Sequence, residues 1–131
     1  MYKVLGYYTV DTDYEEMAER MAESARKFGL EVELTPIQSL GEWVLNCGQK
    51  SLVIQNALLN NTCDILYVDA DAEFKDYPIF FDGFAGHLSY HLRSEIELLS
   101  GTMYFRNTTV VKKLVKRWVK AQEKTPHEWD Q

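Results

Sequence analysis

The spacing of apolar residues divides the chain into alternating strands and helices. Tyr2 to Val10 is dense in β-branched and aromatic residues and reads as a strand. Thr12 and Glu15 then fit a capping box, and Met17, Ala18, Met21, Ala25 and Phe28 recur at helical spacing, with Gly29 as the stop. Leu30, Val32 and Leu34 alternate with Glu31, Glu33 and Thr35, the pattern of a half-buried strand, and Pro36 should end it. Residues 37–48 read as loop. A second helix is expected from Gln49 to Asn60, with Leu52 or Val53, Asn56 or Ala57, and Leu59 turned inward. Asp64 to Asp69 is again a strand. This strand, helix, strand, helix, strand order specifies parallel strands joined by helical crossovers.

After Asp71 the pattern changes. Tyr77 to Phe80 reads as a turn or a single helical turn, and Gly83–Leu92 and Glu97–Arg106 read as two strands with no helix between them, able to pair antiparallel. Asn107 or Thr108 can cap a last helix whose apolar face is Val111, Leu114, Val115, Trp118 and Val119, closed by Thr125-Pro126. The expected fold is α/β: a mixed, mainly parallel sheet flanked by helices, in one domain spanning all 131 residues.

Composition narrows the function. Twenty acidic against fourteen basic side chains leave a formal charge of −6, which argues against nucleic acid or an anionic membrane as a general partner. The segment Lys112 to Lys124 is locally basic, but Val and Trp run through it at helical spacing, so it reads as an amphipathic helix with a wet face. No apolar run reaches the length of a membrane span and no secretory signal is visible. Cys47 and Cys63 form no disulfide framework and suit a reducing compartment, so a cytoplasmic location is expected. Oligomeric state is left open.

The chemistry concentrates at Ile65-Leu66-Tyr67-Val68-Asp69-Ala70-Asp71. Residues i and i+2 of a strand share a side, so two carboxylates at its fraying end can face one ligand. The C-terminal edge of a parallel sheet is where ligands bind in such folds. Two hard oxygen donors there suit Mg²⁺ or Mn²⁺, above all when a substrate phosphate completes the shell. The plain alternative is a solvated turn.

The order of landmarks resembles nucleotide-sugar glycosyltransferases of the GT-A type, in particular small family-8-like nucleotide-diphospho-sugar transferase domains. The landmarks are Tyr7-Tyr8-Thr9 ending the first strand, then Trp43 and Lys50, then Leu66 to Asp71. Ser100-Gly101-Thr102-Met103-Tyr104-Phe105, Asn107, Trp118 and Asp130-Gln131 complete the series. The resemblance implies metal-dependent sugar transfer from a nucleotide-diphospho-sugar, a UDP-sugar first, to an acceptor it does not identify. It implies that Asp69 contacts the ribose or the metal, and that Asp71 ligates a Mn²⁺ or Mg²⁺ bridging the diphosphate. Tyr8, Thr9, Lys50, Asp69, Ser100 and Gly101 would line the donor site, with Ser100 to Thr102 toward the acceptor. Asp130 and Gln131 would be catalytic, near the reacting sugar. Family members usually continue past the Asp-Gln pair, so an end at Gln131 reads as a truncated or short member.

The same residues admit plainer roles. Lys50 also reads as a first-turn surface lysine, Tyr8 and Thr9 as strand packing, and Ser100-Gly101 as a bulge. Three other functions remain in view. One is a non-catalytic nucleotide-sugar-binding domain. Another is a haloacid-dehalogenase-like phosphatase with Asp69 as nucleophile, although Glu73 stands where that motif wants Thr or Val. The third is a hydrolytic metal site in which His87 and His91 join the two aspartates.

Overall fold

A computed structural model describes residues 1–95 and 97–128. Five strands form one sheet in the order β2-β1-β3-β5-β4, where β1 is Tyr2–Thr9, β2 Val32–Ile37, β3 Asp64–Val68, β4 Leu88–Ser94 and β5 Glu97–Phe105. β1 pairs in parallel with both β2 and β3, while β5 is antiparallel to β3 and to β4. All strands except β5 therefore run the same way, the mixed, mainly parallel sheet expected.

The helices are α1 (Asp13–Arg26), α2 (Trp43–Cys47), α3 (Lys50–Asn60) and α4 (Thr109–Lys124). α1 covers one sheet face; α3 and α4 cover the other. The strands alternate between the two layers. Val4, Leu66, Val68 and Tyr104 pack with Met21 and Ala25 of α1. Leu5, Ile65, Tyr67, Met103 and Phe105 pack with Ile54 and Leu58 of α3 and Val111 and Val115 of α4. β3 is buried on both faces, which is why its sequence is a continuous apolar run rather than an alternation.

Thr12 caps α1 as expected, though its hydroxyl accepts from the Tyr14 N–H at 3.3 Å rather than from Glu15. Gly29 holds φ +77°, the left-handed conformation that ends a helix without a Cβ penalty. Thr108, not Asn107, caps α4, accepting from the Val111 N–H.

Several expectations fail for definable reasons. Pro36 does not end β2: it pairs with Tyr8, and the strand reaches Ile37. β2 is an edge strand, so the missing proline N–H can face outward at no cost. Residues 37–48 are not all loop, since they contain α2. β4 begins at Leu88, not Gly83: after the 3₁₀ turn of residues 79–81, Phe81 and then Phe84 pack on Tyr104 instead of joining the sheet. Leu59 and Leu114 are 64% and 47% exposed and do not face the core; on α3 the inward apolar residues are Val53, Ile54, Ala57 and Leu58, and Leu52 is exposed. Among the described residues no helix is long and apolar enough to cross a membrane.

Candidate functional site

The C-terminal ends of β1 and β3 open into a cleft of about 430 Å³, roofed by residues 39–47. β3 stops at Val68, but the Asp69 N–H still bonds to the Gly101 carbonyl at 2.9 Å, so the last ladder rung fixes the aspartate's backbone. The Ala72 N–H then bonds to the Asp69 carbonyl at 3.1 Å, turning the chain and presenting both Asp69 and Asp71 to the cleft.

The two carboxylates are treated differently. Asp69 Oδ1 accepts from the Tyr67 hydroxyl at 2.8 Å and lies 3.1 Å from Lys50 Nζ. Tyr67 is two residues back on β3, so its side chain leaves the same face and its hydroxyl reaches forward to the acid. Asp69 Oδ2 lies 3.0 Å from where a Cβ on residue 101 would stand, so only glycine there leaves it undisturbed. Asp71 is exposed and makes no hydrogen bond or ion pair among the described residues.

Lys50 is the unexpected residue. It opens α3 yet is only 5% exposed. Its Nζ lies 3.0 Å from Ser100 Oγ, 3.3 Å from the Ser100 carbonyl, and 5.1 Å from the centre of the Tyr67 ring. A cation at a helix N-terminus opposes the helix dipole, and burying it costs solvation. The contact with Asp69 offsets both.

The roof is tied down by β1. The Tyr7 hydroxyl donates to the carbonyls of Asn46 and Cys47, at 2.9 and 3.1 Å, at the end of α2. Asn46 in turn accepts from the Leu40 N–H at 2.8 Å. Trp43, about half exposed, donates its indole N–H to the Tyr14 hydroxyl at 3.2 Å. Tyr8, Tyr14 and Trp43 thus supply aromatic surface to the same cleft as Lys50 and Ser100.

Of the residues singled out from sequence, Tyr8, Thr9, Lys50, Asp69, Asp71 and Ser100 line this one cleft. Gly101 does not line it but stands behind Asp69. Lys50 is not a surface lysine. Asp130 and Gln131 lie outside the described residues. His91 is exposed on β4, with β5 between it and the aspartates, and among the described residues no three His, Cys, Asp or Glu gather as a metal site. Glu73 is exposed and pairs with Lys75 at 2.9 Å. Sequence reasoning missed Tyr67, Tyr14 and Thr12 as cleft residues. Tyr67 was findable, being in phase with Asp69; the others depend on how the roof folds.

Asp71 and Asp69 are cleft carboxylates that could hold a divalent cation of the Mg²⁺ or Mn²⁺ kind. Such ions keep several waters and take one or two carboxylates plus substrate phosphates, and Asp71 is unencumbered while Asp69 already shares its charge with Lys50.

No protein-family model matches the chain, and no curated protein sequence does. The fold has a solved counterpart: a glycosyltransferase involved in the glycosylation of the major capsid of PBCV-1. The two superpose with a TM-score of 0.71 over 98% of this chain and 71% of the other, at 16% sequence identity. The likeness is one of fold.

Proposed function

We propose that this chain binds a nucleotide-diphospho-sugar, a UDP-sugar first, in the cleft at the ends of β1 and β3 and transfers the sugar to an acceptor, with Mn²⁺ or Mg²⁺. The observation that carries this reading is the cluster of buried Lys50 and Ser100 with the half-buried Asp69, beside the exposed Asp71. Added to it is the shared fold with a glycosyltransferase. A diphosphate leaving group needs positive charge, and this site offers an ammonium and a carboxylate free to take a dication.

In this reading Asp71 holds the metal, which as a Lewis acid would stabilise the departing diphosphate. Lys50 adds a fixed positive charge and, through Asp69, sets that carboxylate for a ribose hydroxyl or the metal. Tyr8, Tyr14 and Trp43 give the base a face to stack on. The Ser100 hydroxyl, held by Lys50, faces the sugar. Asp130 and Gln131 are assigned to positioning the reacting sugar and acceptor.

A thermal-shift screen of nucleoside diphosphates and nucleotide sugars, with and without Mn²⁺, tests it. A nucleotide present at a hundredfold excess over its Kd should stabilise the fold by about 2.7 kcal/mol. The shift should require the metal and vanish in Asp71→Asn with the fold intact. No shift with any nucleotide, or an unchanged shift in that variant, overturns the reading. A transfer assay then separates an enzyme from a domain that only binds.

A further inference from the structure

The net charge of −6 conceals a segregation. Of fourteen basic residues, six lie on α4: Lys112, Lys113, Lys116, Arg117, Lys120 and Lys124. Of twenty acidic residues, only Glu123 does, so the rest of the chain is net −11. α4 buries Val111, Val115 and Val119 against the sheet, and at helical spacing the six cations fall on the opposite side. Among the described residues none of the six makes an ion pair. An ordinary wet helix face would intersperse acids at i+4.

The neighbouring helix extends this surface. α3 carries no acidic residue, and a shallow groove between the two helices is lined by Leu58, Leu59 and Gln55 from one and Lys112, Lys113 and Lys116 from the other. Exposed aliphatic side chains flank the cations: Leu59 on α3, and Val110 and Leu114 on α4. Exposed leucine and valine among lysines suit the headgroup and acyl boundary of a bilayer. A nucleic-acid surface would instead interleave aromatic or hydrogen-bonding groups.

We propose that the α3–α4 face docks this protein on an anionic membrane surface, cations on the headgroups and Leu59, Val110 and Leu114 at the boundary. Acidic residues elsewhere turn the other faces away from such a membrane and so fix the orientation. α3 starts at Lys50, inside the cleft, and ends at Asn60, so the groove and the anchor Leu59 lie toward the end of α3 away from the cleft. The docking itself does not depend on the proposed transferase activity.

Co-sedimentation with phosphatidylcholine vesicles, with and without phosphatidylglycerol, tests the surface. Binding should require the anionic lipid, fall with salt, and drop at least about tenfold when Lys112, Lys113, Lys116 and Arg117 are all changed to glutamine. Leu59→Ser with Leu114→Ser should weaken binding while leaving its salt dependence in place. Lys75→Gln, an exposed cation elsewhere, should change nothing. Circular dichroism checks that each variant is folded. Equal binding to neutral vesicles, undiminished binding by the quadruple variant, or binding to a nucleic-acid duplex in place of vesicles overturns the proposal.

Discussion

Asp69 and Lys50 form a pair whose two halves are unequal. The lysine side chain is almost wholly buried, whereas the aspartate side chain keeps 38% of its exposure. Removing one member leaves the other to find solvation, and only Asp69 has water at hand. Asp69→Asn should therefore destabilise the fold by roughly 2–4 kcal/mol, because it takes a carboxylate from a buried ammonium. Lys50→Met should cost less, about 1–2 kcal/mol, as the remaining acid is part-hydrated. Urea unfolding of both variants checks the order, and an inverted order would mean that Asp69 does not set the state of Lys50. Gly101→Ala acts on the same acid from behind, since its methyl would stand 3.0 Å from Asp69 Oδ2. It should weaken nucleotide and metal binding about tenfold with a stability loss under 1 kcal/mol, the latter because the methyl meets only the end of a half-exposed side chain that can shift. Calorimetric titration with a nucleoside diphosphate and Mn²⁺ reads this directly. The paired aspartates were legible in sequence because period 2 and an apolar strand place them. The burial of Lys50 was not, since nothing local to residues 49–52 tells that Asp69 and Ser100 arrive from other strands.

Among the elements, the longer periodic ones were readable and the short ones were not. α1 and α4 follow from periodicity and caps, and α3 and β3 from their apolar runs and the Asn60-Asn61 break between them. α2 has five residues, no charged residue and no side-chain cap, too little to be stable as an isolated helix. It exists because Tyr7 takes two carbonyls at its end, a contact between residues about forty apart. The Asn107 junction is another long-range device. Its side-chain amide donates to the carbonyls of Leu58, Asn61 and Cys63 at 3.1, 2.7 and 3.0 Å, and its N–H donates to Asp64 Oδ1 at 2.8 Å. One residue thus joins the end of α3, the start of β3 and the entry to α4, satisfying helix-end carbonyls that have no partner within the helix. In sequence it was a cap candidate and a landmark of the resemblance, with no sign of this junction. Asn107→Ala should cost about 1–3 kcal/mol in chemical denaturation. Asn107→Asp should cost more, since it sets a carboxylate against those carbonyls. A variant as stable as the parent would show that the junction is incidental.

At the scale of the whole molecule, the sheet direction and the two-layer cover were legible, while the way residues 72–87 seal the α1 side was not. Those residues lack a period, and their order comes from rings meeting across the sheet. Phe81 stacks on Tyr104 at 5.0 Å, Phe84 meets the same ring edge-on at 5.3 Å, and Tyr2 packs edge-on against it at 5.6 Å. This cluster has a measurable electrostatic consequence. Burial, then the neighbouring Tyr77, holds the Tyr2 phenol well above its ordinary value near 10; burial, then the Asp64 carboxylate that accepts its hydroxyl at 2.7 Å, does the same for Tyr104. The folded state therefore keeps protons that the unfolded chain gives up above pH 10, so the contribution of these phenols is complete below that pH and is lost as pH rises beyond it. Of the eight tyrosines, at least these two should release their protons late and together with unfolding, seen as tyrosinate absorbance rising in step with loss of circular dichroism. Tyr104→Phe should remove one late proton and cost about 1 kcal/mol at neutral pH, from the lost bond to Asp64. If every tyrosine instead titrates near pH 10 with the fold intact, the α1-side cluster is open to water and residues 72–87 do not seal it.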